Sequence, residues 1–157
     1  MYRNTSQSVT YVLTTKRFAE DFDQVNLAIS LHASSDEDRS AIMPVNNRYN
    51  IAAVLAACGE YTEKTKRRIS YEYTLVSGVN DSVQSARKLA GLLKGKLCHV
   101  NLIPLNEVKD NGFVTVRRSK AIEFQKVLEN AGITTTIRRE LGDDIDAACG
   151  QLRLNNE

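Results

Sequence analysis

Four short apolar stretches recur along this chain, and their spacing constrains the fold more than any other feature. "VNLAISL" (25–31), "ISYEYTLV" (69–76), "LCHVNLIP" (97–104) and "ITTTIR" (133–138) are rich in β-branched and aromatic residues and bounded by polar turns, which predicts strands. They start 28 to 44 residues apart. Antiparallel neighbours can be joined by a tight turn, whereas parallel neighbours need a crossover of about 10–12 residues or more, usually a helix. The intervening segments carry that helical period. Across 51–63, Ile51, Val54, Leu55, Cys58 and Tyr61 share one face, behind Asn50 as a cap. After "GVNDS", with Asp81 as a candidate cap, Val83, Ala86, Leu89, Ala90 and Leu93 repeat the pattern up to Gly95. A third helix is expected from near Ser119, with Ala121, Phe124, Leu128 and Ala131 on one face and Gly132 as its stop. The head of the chain, "SVTYVLTTKRFAEDF" (8–22), reads as a strand running into a short helix, on a weaker pattern. The fold class is therefore α/β, with mainly parallel strands and crossover helices.

Composition narrows the class. At 157 residues and 42% hydrophobic, the chain supports one globular core and not two. No apolar run reaches the roughly 20 residues a membrane span needs, and Met1–Asn4 is not followed by a signal-peptide core. The expected setting is cytoplasmic, with no membrane partner. Cys58, Cys98 and Cys149 are widely spaced, odd in number and without metal-type pairing, so reduced thiols are expected and no metal site. Cys58 falls on a helix stripe and reads as structural. Net charge is only +2, yet the cations cluster: Lys64, Lys66, Arg67 and Arg68; Arg117, Arg118 and Lys120; Arg138 and Arg139. Such clusters are either solvated ends of elements or groups that neutralise phosphates.

In parallel βα architectures, ligands gather at the carboxyl ends of strands. The first exit reads "AISLHASSDEDR". Ser30 and His32 are two apart, so in a continuing strand they would share a face and offer a hydroxyl and an imidazole to a polar ligand. A capped loop with a satisfied histidine is the competing reading. At the third exit His99, Asn101 and Ile103 share a face, Pro104 ends the strand, and Asn106 follows, either as a ligand amide or as a turn residue. Glu72 faces opposite Tyr71 and Tyr73, as a buried ligand or an edge residue. The last exit, "RRELGDDIDAACGQLR", places Cys149 in a loop bracketed by Gly142 and Gly150. Asp143, Asp144 and Asp146 oppose its ionisation unless Arg138, Arg139 or Arg153 compensates. A functional thiol and a spare cysteine both fit that chemistry.

Taken together, "NLAISLHA", "HVNLIPLN" and "GDDIDAACGQLR" resemble, in order and spacing, the C-terminal half of the RlmN/Cfr family. These are radical S-adenosylmethionine enzymes that methylate an adenine of large-subunit ribosomal RNA. "DEDRSAIMPVNNRYNI", "YEYTLVSGVND" and "LAGLLKGKLCHVNLIP" resemble the same family, and the likeness runs from about Lys16 to Arg153. It implies the C-terminal portion of a radical SAM partial (β/α)6 barrel over 16–157, with 1–15 poorly matched. It implies that Cys149 carries the methyl group as S-methylcysteine, and that Ser30, Leu31, His32 and Asn106 contact S-adenosylmethionine. The implied company is a 4Fe-4S cluster, large-subunit ribosomal RNA met through the basic clusters, transfer RNA as a further candidate, and a reductant protein.

The departures from the family are equally specific. No C-x-x-x-C-x-x-C cluster motif occurs, nor the family's second catalytic cysteine, its glycine–glutamate S-adenosylmethionine motif or its N-terminal RNA-binding domain. The stretch "NEVKDNGFVTVRR" (106–118) also lacks the prolines expected there. The expectation is thus a piece of an adenine-C2 methyltransferase, inactive by itself. Its rivals are a non-catalytic remnant or binding module that keeps the fold, and an unrelated α/β enzyme with a nucleophilic cysteine.

Overall fold

A computed structural model describes residues 25–105 and 116–138, and in it four parallel strands pair in the order in which they occur along the chain. They are β1 (Ala28–Ser30), β2 (Ile69–Leu75), β3 (Cys98–Pro104) and β4 (Thr134–Ile137). Between them run α1 (Asp36–Ile42), a short 3-10 turn (Pro44–Asn47), α2 (Ile51–Thr65), α3 (Val83–Leu93) and α4 (Arg118–Asn130). Crossovers between parallel strands are almost always right-handed. When each crossover also steps to the next strand in the same direction, every helix lands on the same side of the sheet. That one-sided winding is how a barrel begins, and it makes this an α/β segment of a partial barrel.

The buried residues follow the rule. Along β2, Ile69, Tyr71, Tyr73 and Leu75 are buried and the residues between them half-buried. Val100 and Leu102 of β3 continue that face. Against it pack Val54, Leu55, Cys58 and Tyr61 of α2, Ala86, Leu89 and Leu93 of α3, and Ala121, Phe124 and Leu128 of α4, all in one cluster. These are the residues whose helical spacing predicted a common face.

The helix ends are chemically marked. Asn50 accepts from the Ala53 amide at 2.9 Å, and Ser35 accepts from the Asp38 amide at 3.2 Å. Asp36, Glu37 and Asp38 set negative charge against the positive end of α1. Gly132, at φ 80°, turns the chain from α4 toward β4 in a backbone conformation that side chains disfavour. The third helix opens at Arg118, within a residue of the expected start near Ser119. Asp36–Ile42 and Pro44–Asn47 are helical, where the sequence pattern predicts no element. One expectation needs correction. The cap of α3 is Ser82, accepting from the Ser85 amide at 3.0 Å, and not Asp81. Asp81 is engaged elsewhere, accepting from the Gly78 amide at 3.0 Å and from Lys120 at 2.8 Å. The segment 8–22 lies outside the described residues.

Candidate functional site at the strand exits

Strand β1 does not run on to His32. It ends at Ser30, and the amides of Leu31 and His32 both turn onto the Glu72 carbonyl, at 3.0 and 3.2 Å. His32 is thereby bent into left-handed backbone, φ 59°. The expectation that Ser30 and His32 share one face of a continuing strand is corrected on this ground. What replaces it is a tripeptide held at every backbone carbonyl. The buried Arg39 of α1 donates through Nε to the Leu31 carbonyl at 3.1 Å and through Nη2 to that of Ser30 at 3.4 Å. Asn80 donates through Nδ2 to the His32 carbonyl at 2.7 Å. Buried carbonyls without partners cost stability, so these two side chains allow a non-strand backbone to sit inside the protein.

Arg39 is itself held by the Asn46 side chain at 2.8 Å and the Tyr49 carbonyl at 2.9 Å. Burial lowers its pKa and Asp36 works the other way. Asn80 is fully enclosed. Its Oδ1 accepts from the Val76 amide at 2.7 Å, while Nδ2 also reaches the Thr74 carbonyl at 2.8 Å.

The sheet face turned away from the helices is polar. Strand register places Ser30, Glu72, Asn101 and Thr136 in one row across all four strands. The row beside it is Ser70, His99 and Thr134. Ser30 Oγ donates to Glu72 Oε2 at 3.4 Å, and Thr136 Oγ1 donates to Asn101 Oδ1 at 3.4 Å and lies 3.1 Å from His99 Nε2. Glu72 Oε1 has no hydrogen-bond partner among the described residues. Glu72 stands on an internal strand, which removes the edge-residue reading. Hydroxyls, a carboxylate, an amide and an imidazole thus face one way, able to donate to and accept from a polar ligand.

Burial sets the charge states. His32 is shifted below the ordinary histidine pKa, by burial first, with Glu72 opposing and Arg39 reinforcing. His99 moves the same way through burial and the nearby Arg68. The Cys58 thiol is pushed up to about 11, chiefly by burial, and is a packed core group with no nucleophilic character. Burial also raises Cys98. Among the described residues both cysteines are free, and no group of three or more His, Cys, Asp or Glu side chains can hold a metal ion.

Of the residues singled out from sequence, Ser30, Leu31 and His32 come together at the β1 exit, with Leu31 fully buried and its neighbours half-buried. Asn106 and Cys149 lie outside the described residues. The basic clusters divide between the two ends of the sheet. Arg117, Arg118 and Lys120 follow the β3 exit and Arg138 the β4 exit, whereas Lys64 to Arg68 precede β2 at the opposite end. Lys120 is paired with the buried Asp81. Sequence reasoning missed Arg39 and Asn80. The available signal was an arginine after three carboxylates and an asparagine in a "GVND" turn, both of which read as surface.

Comparison with solved structures places this architecture in a class. Over 91% of the chain, and 42% of the other, it superposes on a radical SAM methyltransferase from Sphaerobacter thermophilus with a TM-score of 0.84 and 47% identity. A domain of the pyruvate-formate lyase-activating enzyme from Bacteroides vulgatus shares the fold alone, with a TM-score of 0.63 at 16% identity over 81% of this chain and 74% of that one. The described strands and helices thus match part of the fold of that methyltransferase.

In sequence, the chain is similar to proteins named RlmN. It is 56% identical over 137 residues to a probable dual-specificity RNA methyltransferase RlmN of Caldanaerobacter subterraneus, and 54% identical over 138 residues to one of Clostridium perfringens. A third, of Staphylococcus aureus, is 52% identical over 136 residues. These matches cover 87 to 88% of this chain, which spans about 40% of the length of the relatives. No family model matches the chain. Among the described residues, no helix is long and apolar enough to cross a membrane.

Proposed function

We propose that this chain supplies part of the catalytic barrel of an RNA methyltransferase that modifies adenine C2 of large-subunit ribosomal RNA, with S-adenosylmethionine as methyl source. In this reading the likeness to the barrel portion runs over 16–157, and 1–15 match it poorly. The observation that carries the reading is the fixed Ser30–Leu31–His32 exit beside the polar row of Glu72 and Asn101. S-Adenosylmethionine bears ribose hydroxyls, adenine nitrogens, an ammonium and a carboxylate. Ser30 and His32 offer donors, Glu72 an acceptor and Asn101 both, so the residues present suit it. Asn106 joins them around this ligand, and Cys149 carries the methyl group as S-methylcysteine.

A 4Fe-4S cluster does not fit the described residues, where Cys58 is packed in the core and no metal-holding group exists. In this reading the complete enzyme draws its cluster ligands from elsewhere and its electrons from a reductant protein. Arg117, Arg118 and Arg138, at the site's end of the sheet, approach RNA phosphate, with transfer RNA a further candidate substrate. Two measurements test this. Calorimetric titration of S-adenosylmethionine into the chain gives binding that Ser30→Ala weakens; no binding at millimolar ligand sinks the assigned pocket. Cys149→Ala in the complete enzyme abolishes methyl transfer to RNA while ligand binding persists, and normal methylation by that variant overturns the carrier role.

A further inference from the structure

We infer that Asn80 is a positioning residue, which together with the Thr74 amide fixes the His32 ring with its proton on Nε2 and offers that N–H to an acceptor atom of S-adenosylmethionine. The ligand's identity rests on the proposed function, whereas the ring's tautomer does not.

The backbone decides the tautomer. The Thr74 amide lies 3.1 Å from His32 Nδ1 and donates to it. A backbone N–H only donates, so Nδ1 presents a lone pair and the proton of the neutral ring resides on Nε2. Asn80 makes that contact persistent. One amide nitrogen, Nδ2, ties the His32 carbonyl at 2.7 Å to the Thr74 carbonyl at 2.8 Å, joining the same two residues whose ring and amide meet. Asn80 is in turn fixed through its Oδ1 by the Val76 amide at 2.7 Å, and the Tyr73 hydroxyl donates to its carbonyl at 3.1 Å. Left-handed backbone at a residue such as His32 persists only where the surroundings hold it, and Asn80 does so from one side as Glu72 does from the other.

The charged groups facing the ring are Glu72 on β2, which favours a second proton, and Arg39 on α1, which disfavours it; burial, with Arg39 on its side, outweighs Glu72 and lowers the pKa. A doubly protonated ring would set N–H against N–H at Thr74. The Nε2–H has no hydrogen-bond partner among the described residues, so this half-buried donor is available to a ligand.

The chain has two histidines, so a ring-nitrogen correlation spectrum of the 15N-labelled protein is assignable with a His99→Gln variant. At pH 7.5 the expected spectrum has His32 protonated at Nε2 and bare at Nδ1. Asn80→Asp keeps the side chain's size and removes both donated bonds. It is expected to mix the tautomers and to weaken S-adenosylmethionine binding about 10-fold, the scale of one well-placed hydrogen bond. A wild-type ring protonated at Nδ1 overturns the inference, as does an Asn80→Asp protein with unchanged tautomer and unchanged affinity. Should that variant fail to fold, His32 substitutions decide. Gln reaches the Nε2 position with an N–H and loses about 3-fold, while Asn does not reach it and loses about 10-fold or more; the reverse order overturns the donor role. The expected tautomer without any ligand binding leaves the Asn80 lock standing and removes both the ligand and the proposed function.

Discussion

Strand β2 gives its alternate residues to two different purposes. Ile69, Tyr71, Tyr73 and Leu75 are sealed against the helices, while Ser70, Glu72 and Thr74 look the other way, half-buried among polar side chains. The same strand meets both demands because successive side chains point to opposite faces. The comparison teaches that one strand can seal a core on its odd positions and leave its even positions polar. Substitutions on the helix-covered face act on folding, and, under the proposed function, those on the polar face act on ligand.

The largest effect expected from that division is at Phe124. Its ring is 1% exposed and stands 5.1 Å from the Tyr73 ring, tilted by 42°. Phe124→Ala removes that contact and leaves a cavity, for an expected loss of about 3–5 kcal/mol in urea unfolding. A loss under about 1 kcal/mol would mean that the helices do not close on the tyrosine face.

Next in size is Arg39, the residue where the division fails. Although 3% exposed, it serves the polar exit by holding the Ser30 and Leu31 carbonyls. Arg39→Met keeps much of the volume and leaves buried acceptors unpaired, for an expected loss of about 2–4 kcal/mol. Amide exchange should quicken at residues 31–33 more than in α4. Uniform quickening across the whole chain would make Arg39 an ordinary core group, with no special tie to the exit.

That failure also marks where the sequence stops being readable. The stripes Ile51–Val54–Leu55–Cys58–Tyr61 and Ala121–Phe124–Leu128 were legible because helical period alone places them on one face, and each of these residues is buried. The parallel order was legible because every connection is long enough for a helix. The bend at His32 was not, because it is set by a Glu72 carbonyl distant in sequence, and nothing in "SLHA" announces a left-handed residue. Arg39 follows three carboxylates and reads as solvated charge, yet Asp36 turns its carboxylate to the Ile51 amide at 2.9 Å and Arg39 turns inward. The Ser82 cap was mistaken for Asp81 because the partner that diverts Asp81, Lys120, lies in a different helix. Local pattern carried the scaffold, and long-range hydrogen bonds made the site.

The two histidines sharpen the comparison through pH. Both sit on or beside the polar face, and burial lowers both below the ordinary value of 6.5. The unfolded chain therefore binds protons that the folded one resists. Stability contributed by these groups is full above pH 6.5 and declines as pH falls below it toward the folded-state pKa values. Carboxylates also titrate on acidification, so the informative quantity is a difference. His32→Gln should lose less stability than wild type between pH 7.5 and 5.5, as read from urea midpoints. Equal losses in the two proteins would place His32 in an environment no different from water.

The smallest effect expected is on the polar row itself. Asn101 and Thr136 are paired across β3 and β4, joined by a long 3.4 Å hydrogen bond, and Thr136 is exposed. Neither belongs to the buried cluster, so Asn101→Ala and Thr136→Val should each shift unfolding by no more than about 0.5 kcal/mol. If this face meets S-adenosylmethionine, Asn101→Ala should weaken that ligand several-fold while the urea midpoint stays in place, the inverse of the Phe124→Ala result. A destabilisation above about 2 kcal/mol would identify Asn101 as buried against another part of the chain and collapse the distinction between the two faces. Unchanged stability with unchanged ligand affinity would confine the binding surface to the β1 exit, where Arg39 and Asn80 do the holding.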